Sequence, residues 1–144
     1  ETAAAAHHLI KRMWELTGAE VVDMGVRHHD AVLAATSHLP HMLAYAFFNS
    51  VQNQPAGREF LSLAGPGFRD FTRIAASDPT MWRDILSANR EEVLKQTQRF
   101  RTALEAFELA LKTGNADALE GLIRTAAEGR SQWHMGGPRP TSPR

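Results

Sequence analysis

The chain has 144 residues, with 16 Lys plus Arg balancing 16 Asp plus Glu, so it carries no formal net charge when histidine is neutral. That length predicts one domain, and the balance leaves no charge excess to recruit nucleic acid or anionic membrane, which disfavours both as partners. Cysteine is absent, excluding disulfides, thiolate zinc sites and cysteine nucleophiles and fitting a reducing compartment.

Residues 2–17 place Leu9, Ile10, Met13, Trp14 and Leu16 at helical spacing and reach a glycine stop at Thr17-Gly18. Charges flank this short apolar run, so it is neither a signal peptide nor a membrane span, and the expectation is a soluble, cytoplasmic protein. The following AEVVDMG has no second strand-like run to pair with and is expected to be a linker.

Residues 28–46 read HHDAVLAATSHLPHMLAYA. The spacing predicts a helix to about Asn53, stopped by Gln54-Pro55-Ala56-Gly57 and kinked at Pro40, where an interior proline costs roughly 3 kcal/mol. A metal is the first idea four histidines suggest. At roughly 100° per residue, however, His29 and His38 fall on opposite faces, and His38 with His41 makes only half a site. Asp30, Ser37, His38 and His41 share one stripe on a regular helix, flanked by Leu33, Leu39, Met42 and Leu43. Such a stripe is either one wall of a pocket or a set of solvent-facing polar residues.

A short helix, a Gly65-Pro66-Gly67 break and a second short helix come next, ending before Pro79. The break begins like a dinucleotide fingerprint, but Asp70 stands where the third glycine belongs and no strand precedes it, so it is not a dinucleotide loop. Arg69, Asp70 and Arg73 lie on this helix, with Asp70 and Arg73 spaced to pair. An arginine held by an aspartate is a receptor for carboxylate, and a plain surface ion pair has the same sequence.

Asp78-Pro79 is a start signal, and no glycine or proline follows until after Lys112. Leu86, Val93, Phe100 and Phe107 recur every seven residues beside Thr97, Leu104 and Leu111, predicting one long amphipathic helix that packs on a second copy. Gly114-Asn115 ends it, a last helix reaches Trp133, and residues 135–144 have too few apolar residues to fold. The fold class is therefore all-α. A serine hydrolase is discounted, because Ser37 lacks a nucleophile elbow and any strand to hold one.

Taken together, HHDAVLAATSHLPHMLAYA and then GPGFRDFTRIAASDPTMWRDILSANREEVL resemble the helical C-terminal domain of the prephenate dehydrogenase family, which includes arogenate and cyclohexadienyl dehydrogenases. The resemblance runs from about Glu1 to Trp133, and its jointly specific motifs are HD, SHLPH, FRDFTRIA and DPTMW, with MWELTGAEV before them. It implies a helical dimerisation domain over residues 1–134, similar to the C-terminal domain of 6-phosphogluconate dehydrogenase, in an intertwined homodimer.

It also implies oxidative decarboxylation of prephenate to 4-hydroxyphenylpyruvate, or of arogenate to tyrosine. NAD or NADP and the catalytic histidine would belong to an N-terminal Rossmann domain lacking here, so no catalytic residue is assigned and the fragment alone is expected to be inactive. By motif, Arg73 would hold the ring carboxylate, Asp70 would position or gate it, and His41 would lie near the substrate side chain, a region that also accommodates tyrosine as inhibitor. His38, Ser37, His29 and Asp30 resemble wall residues, and Trp14 and Trp82 match tryptophans close to the pocket. The other reading of the chain is a non-catalytic helical module that binds tyrosine or a related aromatic acid. The abrupt start at ETAAAA, inside a helix with no initiating methionine, favours the enzyme part.

Overall fold

The computed structural model describes residues 3–135, so the tail expected at 135–144 lies, from residue 136 on, outside the described residues. Helix is the sole regular structure among the described residues. Eight α-helices follow in order: α1 (Ala4–Leu16), α2 (Val26–Leu33), α3 (Leu39–Gln52), α4 (Gly57–Ser62), α5 (Pro66–Thr72), α6 (Pro79–Ala88), α7 (Arg90–Lys112) and α8 (Ala116–Gln132). A π turn, Ala34–His38, joins α2 to α3, and a 3-10 turn, Arg73–Ala76, follows α5. The chain forms two compact units, the first ending at Val93 and the second starting at Leu94.

In the first unit α1 stops where expected, because Gly18 takes a φ of 84° that a side chain would resist. The stretch after it is irregular, and Asp23 fastens it back onto α1 by accepting from His7 Nε2 and Lys11 Nζ, each at 2.7 Å. The Lys11 ammonium, helped by His7, holds the Asp23 carboxyl below its usual range.

α3 is the hub of this unit. α4, α5 and the 3-10 turn all pack against it. Phe47 meets Phe68 and Phe71 of α5 at ring separations of 5.6 and 5.3 Å, and Phe48 meets Phe68 at 5.9 Å. Close approach is possible because the fully buried residues are small, Ala34 and Ala44, while Gly57 at the start of α4 sits directly against α3. α6 begins as its sequence dictates, with Asp78 Oδ1 accepting from Met81 N at 2.7 Å and Pro79 in the first turn.

Two expectations are corrected. The helix expected without interruption from Pro79 to Lys112 breaks at Asn89, whose φ of −107° and ψ of 29° separate α6 from α7. The cause is tertiary: the Asn89 side chain is drawn away into bonds with α2 and the π turn. At Pro40 the chain does not simply kink. It widens by one residue just before the proline, and Leu39 N donates to Ala34 O across five residues instead of four. Proline has no N–H and its ring crowds the carbonyl four residues back, and a wider turn relieves both conflicts.

In the second unit the remainder of α7 and α8 form a helical hairpin. Gly114 turns the chain with a φ of 62°, and Asn115 caps α8 by accepting from Ala118 N at 2.9 Å. A groove of about 920 Å³ runs between the two helices, lined by Ala106, Leu109, Ala110, Ala118 and Leu122 among others. Of the long seam, Phe107 is half-buried, whereas Phe100, Leu104 and Leu111 remain exposed.

Candidate functional site

The π turn decides which polar residues of the histidine segment meet. One inserted residue turns everything after it by roughly 100°, so the stripe expected from a regular helix is broken. Ser37 leaves the face of Asp30 and His38 takes its place. Asn89 ties the two elements together: its Nδ2 donates to the Asp30 main-chain carbonyl at 2.8 Å and to His38 Nδ1 at 3.2 Å. What Ser37 contributes to the group is its main-chain carbonyl, which accepts from His41 Nδ1 at 2.9 Å.

These bonds assign both imidazoles. A carbonyl only accepts, so His41 Nδ1 carries a proton and its neutral form has the lone pair on Nε2. An amide N–H only donates, so His38 Nδ1 accepts and its proton sits on Nε2. His38 is buried, and burial pushes its pKa down; the Asp30 carboxylate opposes that pull without overcoming it.

Trp82 joins the two histidines. Its indole lies flat on His41, with ring centroids 3.6 Å apart and planes 20° from parallel, and it meets His38 edge-on at 6.2 Å. Trp82 is 7% exposed, so this wall is largely dry. His29 is exposed and bonds Asp30 Oδ1 through Nδ1 at 3.0 Å, at the rim of the group.

A second cluster lies on α5 and the 3-10 turn. Arg69 and Arg73 both line a hollow of about 520 Å³ floored by Phe48, Leu61 and Phe68. The expected Asp70–Arg73 pair is not formed. Asp70 Oδ1 accepts from Arg69 Nε at 2.9 Å instead. The reason is local: α5 ends at Thr72, so Arg73 opens the tighter 3-10 turn and is displaced from the face that a continuing α-helix would have shared with Asp70. No carboxylate among the described residues pairs with the exposed Arg73 guanidinium. The 3-10 turn that carries it packs on α3, the helix that carries His41.

The structure thus brings together His38, His41, Trp82 and the main chain of Asp30 and Ser37, and gathers Arg69, Asp70 and Arg73 on a neighbouring element. It does not bring Trp14 to them: that side chain is 51% exposed on α1. Sequence reasoning missed Asn89, though an asparagine inside an uninterrupted helical pattern was a usable signal, since its amide favours caps and turns. It also missed Phe48 and Phe68, which line the hollow beside Arg73.

Among the described residues, no three His, Asp or Glu side chains converge as a metal site would need. Nor do these residues suit a dinucleotide: Gly65-Pro66-Gly67 opens a helix of 7 residues with no strand before it, so there is no βα turn to cradle a pyrophosphate. No helix is long and apolar enough to cross a membrane among the described residues.

Comparison with known proteins gives a consistent picture. The family model described as prephenate dehydrogenase, dimerization domain, matches residues 26–125. Cyclohexadienyl dehydrogenase of Zymomonas mobilis is 35% identical over 120 residues, which are 82% of this chain and 41% of that protein. Prephenate dehydrogenase of Bacillus subtilis is 31% identical over 134 residues, 90% of this chain and 35% of that protein. Among solved structures, prephenate dehydrogenase from A. aeolicus, in complex with hydroxyphenyl propionate and NAD+, superposes with a TM-score of 0.77 at 35% identity, covering 90% of this chain and 46% of that one. The chain spans less than half the length of each of these relatives.

Proposed function

The chain belongs to the prephenate dehydrogenase family, through that family's dimerization domain, and from that premise we propose that it is the substrate-binding and dimerisation half of a prephenate or arogenate dehydrogenase. NAD or NADP would be held by a nucleotide-binding domain outside this chain, since the residues here do not fit a dinucleotide. The work of this half is to bind, orient and keep water away.

One observation carries the reading: Arg73, with no carboxylate partner among the described residues, borders a hollow floored by Phe48 and Phe68. A guanidinium fork takes both oxygens of a carboxylate, and phenylalanine takes the six-membered ring that bears it. Asp70, bonded to Arg69, is the positioning acid beside it. His41, His38 and Trp82 form the wall toward the substrate side chain, with Ser37 behind them and His29 and Asp30 at the rim. The solved relative's ligand, hydroxyphenyl propionate, has this chemistry, an aromatic ring with a carboxylate. Trp14 would join the pocket only as the family resemblance implies, from the exposed apolar face of α1.

Arg73→Ala in the full gene product tests this. Affinity for prephenate or hydroxyphenyl propionate is expected to fall by roughly 1.5 to 3 kcal/mol, on the order of 10- to 100-fold. An unchanged affinity would remove Arg73 from the site. Binding of tyrosine by a full gene product devoid of dehydrogenase activity would favour the sensor module instead.

A further inference from the structure

Asn89 stands at the joint between α6 and α7, and its side chain makes no bond within the joint. Its main chain is bonded on both sides, with N donating to Ile85 O at 3.2 Å and O accepting from Val93 N at 3.1 Å. The side-chain amide reaches instead across 59 residues to Asp30 and 51 residues to His38. An asparagine NH2 has two N–H groups, and both are spent here. Two distant elements, α2 and the π turn, are thereby tied to the end of the helix that carries Trp82.

The consequence reaches His41 through contact. With Nδ1 held by Asn89, the His38 ring has one orientation, and its T-shaped contact bounds the Trp82 indole from one side. The opposite constraint is the stack of Trp82 on His41, whose own Nδ1 is held by Ser37 O. Each ring in the row is therefore restrained by its neighbour, and Asn89 is the first restraint. A polar network of this kind fixes a single arrangement only while every member is satisfied.

We propose that Asn89 is a positioning residue for the aromatic wall of the pocket: by donating to both Asp30 O and His38 Nδ1 it fixes His38 in its Nε2–H form and sets Trp82 flat against His41. The functional part of this inference rests on the reading of the wall as a site for an aromatic carboxylate.

Asn89→Asp is the informative substitution, because it keeps the shape of the side chain and removes both donors. In the full gene product carrying 15N-labelled histidine, His38 is expected to hold its proton on Nε2 in the parent protein. In Asn89→Asp the proton moves to Nδ1, where the new carboxylate accepts it, and the Trp82 indole N–H resonance shifts. Affinity for hydroxyphenyl propionate is expected to fall about tenfold, the loss of one to two restraining bonds, with helix content retained. A His38 that keeps its Nε2 proton in Asn89→Asp overturns the proposal, and so does a moved proton with unchanged affinity.

The parent protein carries a test that needs no substitution. Its His38 Nδ1 must be unprotonated and coupled through the hydrogen bond to the Asn89 amide; an Nδ1–H form overturns the proposal even if Asn89→Asp does not fold. Parent protein with the expected His38 form but no affinity for hydroxyphenyl propionate would count against the aromatic-carboxylate reading while still supporting Asn89 as the residue that sets the wall.

Discussion

At the scale of single residues, Arg73 borders the aromatic hollow and pairs with no carboxylate among the described residues. Asp70 is taken by Arg69, so under the proposed function a ligand carboxylate would meet a guanidinium that need not first be released from an ion pair. Arg73→Lys keeps the charge but replaces a two-pronged donor by a point charge. Affinity for hydroxyphenyl propionate is expected to drop roughly three- to tenfold, less than in Arg73→Ala, and calorimetry on both variants checks that order. His38 gives a second prediction. Burial holds its pKa below the ordinary 6.5, against the opposing pull of Asp30. Between the depressed value and 6.5 the unfolded chain therefore binds more protons than the folded one, and stability rises with pH. The stabilisation is complete above about 6.5 and is lost as pH falls through the folded-state value. Protonation at Nδ1 would also set two donors, His38 and Asn89, against each other. Melting temperature should thus fall on acidification from about pH 7 to pH 5, and His38→Gln should flatten that slope; an equal slope in both proteins would exclude His38 as its source. Arg73, His41 and Trp82 were legible as site candidates because their motifs are local and jointly specific. The Asp70 pairing was not, because it depends on where α5 gives way to the 3-10 turn.

At the scale of elements, boundaries set by local chemistry were legible. Gly18, Asp78-Pro79 and Gly114-Asn115 end or begin helices because glycine tolerates positive φ, aspartate and asparagine cap free N–H groups, and proline suits a first turn. Features decided by contacts between distant residues were not. Pro40 marked the right place, but widening by one residue rather than bending is what moved His38 onto the face of Asp30. The break at Asn89 likewise answers to partners on α2 and the π turn, invisible in a run free of glycine and proline. The joint between α3 and α4 carries a prediction. A Cβ at Gly57 would stand 2.4 Å from the Gln52 carbonyl oxygen and 2.7 Å from that of Val51, and main chain cannot step aside cheaply. Gly57→Ala should cost about 1 to 3 kcal/mol in chemical unfolding, where Ala normally stabilises a helix relative to glycine. Equal or greater stability would mean that α4 moves freely against α3.

At the scale of the whole molecule, the second unit leaves its best apolar seam uncovered. Phe100, Leu104, Leu109 and Leu111 of α7 and Ile123 of α8 are all exposed, and Ala110 is its buried hydrophobic residue among those described. Surface of this kind on a domain whose family is named for dimerization is expected to close against a second copy. Leu104→Glu should shift the protein from dimer to monomer in analytical ultracentrifugation, because a carboxylate cannot be buried unpaired in such a seam; a dimer that persists would place the interface elsewhere. The all-helical class and the family were legible because helix period and motif order survive without tertiary information, whereas the division into two units was not. Expressing the chain with and without the coding sequence immediately upstream, and following NAD- and NADP-dependent oxidation of prephenate and arogenate, decides whether it supplies the substrate and dimer half of a dehydrogenase. Activity in the longer product alone is the expected result, and it would name both substrate and cofactor. A longer product that oxidises neither, while the chain still binds tyrosine, would contradict the account.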